Sequence, residues 1–113
     1  MANIGVVGSG SWGTAFSVML ADNGHSVMLW SFDKDECEGL KKYGENKPFL
    51  PGVKLPENIS FTTSLEECVS DAEVVVLATP SHFVRSTCKN LAPFIKDNQY
   101  IVNLGKGFDT ETL

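Results

Sequence analysis

A surplus of positive charge, closely spaced cysteines and long apolar runs are all missing from this chain. Nine Lys and Arg stand against fourteen Asp and Glu, a net charge of −5. That excludes a general nucleic-acid binder. It leaves room for a single phosphate ligand, because a helix N-terminus and one lysine act locally. The three cysteines, Cys37, Cys68 and Cys88, show neither C-x-x-C nor zinc spacing, so no metal site is expected. Each falls at an apolar position of an expected helix, and buried free thiols are the expectation. Of the two histidines, His25 lies in the Asn23-Gly24-His25 turn and is expected to be a solvated loop residue. The longest uninterrupted apolar run, Val74 to Ala78, is far too short for a bilayer, so no membrane insertion is expected. No basic region precedes the first apolar stretch, which Gly and Ser interrupt early, so no secretory signal is expected either. With 113 residues, 42% of them hydrophobic, the chain reads as one soluble, cytoplasmic globular domain.

What is present is an alternation of strand and helix. Strands are expected at 3–7, 26–31, 73–79 and 100–104, with a short edge strand at 59–62. Between Glu45 and Asn58, prolines at 48, 51 and 56 forbid a regular helix or a central strand. A helix is expected from Asp33 to Tyr43, stopped at Gly44. Ser64-Leu65-Glu66-Glu67 forms a capping box ahead of a helix that buries Leu65, Cys68, Val69 and Ala72. After Pro80 a helix carries Val84, Cys88, Leu91, Ala92 and Ile95 on one face. The run at 73–79 does not alternate, which marks a parallel strand buried on both faces. Such alternation predicts an α/β fold, a mostly parallel sheet with helices on both sides.

The segment Gly8-Ser9-Gly10-Ser11-Trp12-Gly13 sits between the first strand and a run with apolar residues at 12, 15, 16, 19 and 20. Ten glycines make chance spacings easy. The order strand, glycine turn, helix is the context in which G-x-G-x-x-G means dinucleotide binding. Gly8 permits the tight turn, Gly10 lets a pyrophosphate approach the backbone, and Gly13 lets the helix lie close to the strand. The helix N-terminus then faces the anion.

Ligands bind such sheets at the carboxyl ends of the strands, and four unusual loops fall there. After the second strand comes Trp30-Ser31-Phe32-Asp33-Lys34. Asp33 stands roughly 20 residues past the glycines, where a carboxylate accepts from the NAD ribose. It equally suits the cap of the next helix. Phe32 suits the adenine face. No arginine is present for the 2′-phosphate of NADP, so the loop leans to NAD, while Lys34 keeps NADP open. Pro80-Ser81-His82-Phe83 follows the strand at 73–79. There Phe83 suits a cofactor contact and Ser81 a helix cap, and His82 has no local carboxylate partner for catalysis. Lys106, between Gly105 and Gly107, suits a substrate phosphate or carbonyl.

These segments resemble the N-terminal domain of NAD(P)-dependent sn-glycerol-3-phosphate dehydrogenases over residues 3–112. The resemblance is carried by Gly8 to Ala15, Asn23-Gly24-His25, Leu29-Trp30, Phe49-Leu50-Pro51, Leu55-Pro56-Glu57-Asn58-Ile59, Ala78-Thr79-Pro80-Ser81-His82 and Lys106-Gly107. It implies a Rossmann-like doubly wound sheet, incomplete here, and one cofactor-binding domain over 1–113 that lacks the helical C-terminal domain. It implies hydride transfer between NAD(P)H and dihydroxyacetone phosphate or sn-glycerol 3-phosphate, which supplies phospholipid precursors, in an enzyme that works as a homodimer. Gly8, Ser9, Gly10, Ser11, Trp12, Gly13, Phe32, Asp33 and Phe83 are the implied cofactor contacts, and Lys106 contacts substrate beside the nicotinamide. Bacterial members often carry Arg or His where Phe32 stands, and those tend to use NADP, so Phe32 favours NAD. The proton-acceptor lysine is expected beyond Leu113, so no catalytic residue lies in this chain and the chain alone is expected to be inactive. Two other readings remain: a free-standing nucleotide-binding or interaction module without catalysis, and the N-terminal half of a related dehydrogenase. Lys106 and the proline segment speak against the first, and Leu55-Pro56-Glu57-Asn58 against the second.

Overall fold

The computed structural model describes residues 2–46, 50–78 and 81–103; for residues 11, 12, 46, 50, 51, 53, 81–85 and 103 it describes the backbone. Thr79, Pro80, Leu104 and Gly105 to Gly107 lie outside the described residues. The strands are β1 (Asn3–Val7), β2 (Ser26–Trp30), β3 (Glu45–Asn46), β4 (Leu50–Lys54), β5 (Ile59–Thr62), β6 (Val74–Leu77) and β7 (Tyr100–Asn103). The helices are α1 (Ser11–Asp22), α2 (Lys34–Tyr43), α3 (Leu65–Val69) and α4 (Ser81–Leu91), followed by a 3₁₀ turn at Ala92–Phe94.

Five strands form one all-parallel sheet in the order β5-β2-β1-β6-β7. Counted along the chain, that is 3-2-1-4-5, the first five places of the doubly wound dinucleotide sheet. The order reverses between β1 and β6, so a crevice is expected above their carboxyl ends. The pleat sends alternate residues of each strand to opposite faces. Ile4 and Val6 meet Val27, Leu29, Ile59 and Val76 under α1 and α2, together with Leu40 and Leu55. On the other face, Val7, Val75 and Leu77 meet Cys68, Val69, Ala72 and Leu91 under α3 and α4.

Four local expectations are corrected. The face of α1 turned to the sheet is the small-residue side: Thr14 and Ser17 are fully buried and Ala21 nearly so. Ala15 is exposed and Met19 is 48% exposed, while Phe16 and Leu20 pack only at the margin of the core. A helix pulled tight against a strand by its glycine turn has room for Gly, Thr, Ser and Ala there, and the larger side chains move outward. His25 is not a solvated loop residue. It is half-buried, and its Nδ1 accepts the Ala2 N–H at 3.1 Å. The segment from Glu45 to Asn58 is not wholly irregular. β3 and β4 pair antiparallel as a two-stranded ribbon outside the main sheet, where proline is tolerated. The last helix ends at Leu91 because Pro93 has no N–H to continue it; Ala92 is exposed and Ile95 lies beyond the helix.

The capping box holds in one direction. The Ser64 hydroxyl accepts the Glu67 N–H at 3.2 Å, while the Ser64 N–H donates to Thr62 Oγ1 at 3.0 Å. Asn58 explains the stretch that follows Leu55-Pro56. Its Nδ2 donates to both the Ala21 and the His25 carbonyls at 2.8 Å, fastening the end of α1 to the start of β5.

Cys37 and Cys68 are buried free thiols, and Cys88 is half-buried. Cys68 Sγ lies 3.4 Å from the Met28 carbonyl and 3.7 Å from that of Val6. Burial pushes the Cys68 thiol from 9.0 up to about 12, with the Glu67 carboxylate adding to it. Burial also raises Cys37. Below pH 9 folded and unfolded chains both keep the Cys68 proton. Between 9 and about 12 only the unfolded chain ionises, so stability falls as pH rises, by about 1.4 kcal/mol per unit. Urea unfolding at about pH 8 and about pH 10.5 should show the wild type losing about 2 kcal/mol more than Cys68→Ala over that interval.

Candidate functional site

The parallel registers pair Val7 with Trp30 and with Leu77, Trp30 with Thr62, and Leu77 with Asn103. The five strands of the main sheet therefore end at the same level, and the loops after β1, β2 and β6 share one edge of it. Backbone bonds hold that edge together. Gly8 N–H donates to the Trp30 carbonyl at 3.1 Å, Ala78 N–H to Val7 at 2.9 Å, and Ser31 N–H to Thr62 at 2.9 Å. Trp30 Nε1 adds a bond to the Thr63 carbonyl at 3.0 Å.

The three motif glycines have three different causes. Gly8 turns the chain out of β1 at φ 125°, a region that side chains rarely enter. Gly13 sits on the turn itself: a Cβ there would lie 1.9 Å from the Gly8 carbonyl oxygen and 3.2 Å from Ala78 Cβ. Gly10 has neither reason. Its φ is −70°, and among the described residues a Cβ would meet nothing within 4 Å. Gly10 is the N-cap of α1, no side chain caps that end, and the first turn holds no acidic residue. Among the described residues nothing calls for glycine at position 10, and the N-terminus of α1 stays open there to a group laid against the backbone. A pyrophosphate on the helix N-terminus fits that opening.

Ser9, between Gly8 and Gly10, is 8% exposed. Its hydroxyl donates to the Glu36 carboxylate in the first turn of α2, and its carbonyl accepts the Thr14 hydroxyl at 3.0 Å. Sequence reasoning missed Glu36, because nothing in spacing announces a contact 27 residues apart. After β2, the Ser31 hydroxyl accepts the Asp33 N–H at 3.3 Å and donates to the Asp33 carbonyl at 3.1 Å. That turn leaves Phe32 87% exposed. Asp33 takes the capping role: its Oδ1 accepts the Asp35 N–H at 2.9 Å.

The site residues of the β1 and β2 loops thus stand on one edge. Phe83 lies in the first turn of α4, and its side chain, like those of Ser11, Trp12, Ser81 and His82, is outside the description. Lys106 lies outside the described residues altogether. Among the described residues no group of three or more His, Cys, Asp or Glu is placed to hold a metal ion. No helix among them is long and apolar enough to cross a membrane.

The family model for the NAD-dependent glycerol-3-phosphate dehydrogenase N-terminus matches residues 3–113. The chain belongs to that family. It is 50% identical over 113 residues to a glycerol-3-phosphate dehydrogenase (NAD(P)+) of Agathobacter rectalis, covering all of this chain and 34% of that protein. It is 37% identical over 113 residues to the Bacillus subtilis protein of the same name, covering all of this chain and 33% of that protein. Among solved structures, the glycerol-3-phosphate dehydrogenase of Coxiella burnetii superposes with a TM-score of 0.86 at 27% identity, over 90% of this chain and 31% of that one. The chain therefore spans about a third of the length of the relatives it matches.

Proposed function

We propose that this chain is the dinucleotide-binding part of an oxidoreductase that moves a hydride between NAD(P)H and dihydroxyacetone phosphate, interconverting it with sn-glycerol 3-phosphate. The observation that carries the reading is Gly10, a glycine for which no described residue gives a packing reason, at a helix N-terminus that no described side chain caps. The nicotinamide supplies or accepts the hydride. Gly8, Ser9, Gly10, Ser11, Trp12 and Gly13 hold the pyrophosphate against the first turn of α1. Phe32 offers its exposed ring to the adenine, and Asp33 stands beside the ribose while it caps α2. Phe83 flanks the cofactor from the first turn of α4, and Lys106 holds the substrate oxygen close to the transferred hydride. The proton acceptor comes from outside this stretch of chain, which binds cofactor without turning substrate over. NAD is preferred over NADP, since Phe32 and Asp33 occupy the loop where a 2′-phosphate needs a cation. The whole enzyme is a cytoplasmic homodimer that supplies glycerol 3-phosphate for phospholipid synthesis.

Calorimetric titration of this chain with NADH and with NADPH tests the reading. NADH should bind more tightly. Gly10→Ala should weaken NADH at least about tenfold, the scale of one lost charge-assisted bond. Its melting temperature should drop by no more than about 4 °C. Failure of the folded wild type to bind either dinucleotide would refute the proposal, as would an unchanged affinity in Gly10→Ala.

A further inference from the structure

We infer that Glu36 sets the dinucleotide preference of this site by holding a negative charge against the glycine loop through Ser9. The inference rests on the dinucleotide reading above. Ser9 is buried, so its hydroxyl needs a protein partner, and it donates to the Glu36 carboxylate. The carbonyl of the same residue is held by Thr14. Ser9 is therefore held at both its hydroxyl and its carbonyl, and its hydroxyl keeps the Glu36 carboxylate at the glycine loop.

The position of that charge matters. Glu36 is in the first turn of α2, directly after the Phe32–Asp33 turn, and its carboxylate meets Ser9 of the glycine loop. In a sheet of this kind the adenosine ribose lies at the end of the second strand, where the first turn of α2 begins. A 2′-hydroxyl is neutral there, but a 2′-phosphate brings two negative charges towards Glu36. Asp33 and Asp35 add two more carboxylates, against the single cation of Lys34. The pyrophosphate is common to both cofactors and rests on the helix N-terminus, so Glu36 acts on the difference between them. Glu36 is a positioning and specificity-determining residue, and it takes no part in the chemistry.

Glu36→Gln separates charge from contact, since the amide oxygen still accepts from Ser9. Ser9→Ala removes the contact and keeps the charge. Dissociation constants for NADH and NADPH are measured for both variants and the wild type, with a melting curve for each. Glu36→Gln should shift the NADPH-to-NADH ratio about fivefold or more towards NADPH, with NADH affinity and melting temperature little changed. Ser9→Ala should weaken both cofactors by a common factor. In the wild type, raising salt from about 0.05 M to about 0.5 M should narrow the gap between the cofactors, because screening weakens the repulsion. A ratio unchanged in Glu36→Gln, or a wild-type gap that widens with salt, would overturn the inference while the dinucleotide reading stands. Binding of neither cofactor by the folded wild type would remove both.

Discussion

Gly13→Ala should cost the fold about 3 kcal/mol or more and lower the melting temperature by at least about 12 °C. The added methyl would sit 1.9 Å from the Gly8 carbonyl oxygen, 2.9 Å from the Gly8 carbonyl carbon and 3.2 Å from Ala78 Cβ. The first two are backbone atoms, which no rotamer change can move. Gly8 cannot yield easily, because its N–H is bonded to Trp30 and its φ of 125° already commits the turn. Ala78 cannot yield either, since its N–H is bonded to the Val7 carbonyl. The strain therefore falls on α1, which must lift from the sheet at its N-terminus. That uncovers Thr14 and Ser17, buried polar residues whose hydroxyls bond the Ser9 and Gly13 carbonyls at 3.0 and 2.7 Å. Lifting the same end also tilts the first-turn N–H groups away from a bound pyrophosphate. NADH affinity should fall along with stability, measured by calorimetry and by thermal unfolding of the same sample. The contrast with Gly10→Ala is diagnostic, for that variant should lose affinity and keep most of its stability. A Gly13→Ala protein as stable as the wild type would mean that the turn has slack these contacts deny it.

How much of this was legible in the sequence depended on how far apart the interacting residues stand. The glycine turn, the β2–α2 boundary at Asp33, the stop at Gly44 and the Ser64 cap are decided within a few residues by backbone preference and local bonds. Those readings correspond to the structure. The parallel sheet followed from alternation, and the placement of the loops on one edge followed from the sheet. The inward face of α1 was misread because apolar periodicity assumes that the larger side chains face the core. Here the glycine turn sets the helix so close that Thr14, Ser17 and Ala21 are what fits. The β3–β4 ribbon was missed because proline density rules out a central strand but says nothing against a two-stranded one. Three further contacts left no mark in the sequence: His25 with Ala2, Asn58 with Ala21 and His25, and Ser9 with Glu36. Their residue types are common on surfaces, and only the fold brings them together. Leu55 to Asn58, part of the proline-rich segment that carries the resemblance to the glycerol-3-phosphate dehydrogenases, serves architecture among the described contacts. Leu55 is in the core, its N–H bonds the Gly44 carbonyl at 2.7 Å, and Asn58 ties α1 to β5.

Gly5→Ala should be as damaging as Gly13→Ala, although Gly5 lies in mid-strand and belongs to no motif. A Cβ at Gly5 would stand 2.4 Å from the Cys68 carbonyl oxygen and 3.3 Å from its Sγ. β1 is the middle strand, paired on both sides, with Gly5 opposite Met28 and Val75. The sheet cannot move there without breaking two ladders. α3 must move instead, and it is a helix of five residues whose Cys68 and Val69 are buried against the sheet. Displacing it opens the face formed by Val7, Val75 and Leu77, and it pulls Val69 and Ala72 from Gln99, whose Nε2 bonds their carbonyls at 2.6 and 2.8 Å. Overpacking of a rigid site and a partly opened core together should cost about 3 kcal/mol or more. The effect on the cofactor differs from that of Gly13. Gly5 lies below the carboxyl edge, on the face away from α1, so the fraction of Gly5→Ala that folds should bind NADH with nearly wild-type affinity. Urea unfolding monitored by circular dichroism, paired with titration at low temperature, separates the two quantities. A large loss of affinity in a Gly5→Ala chain that is fully folded would mean that the α3 face and the glycine turn are coupled through β1.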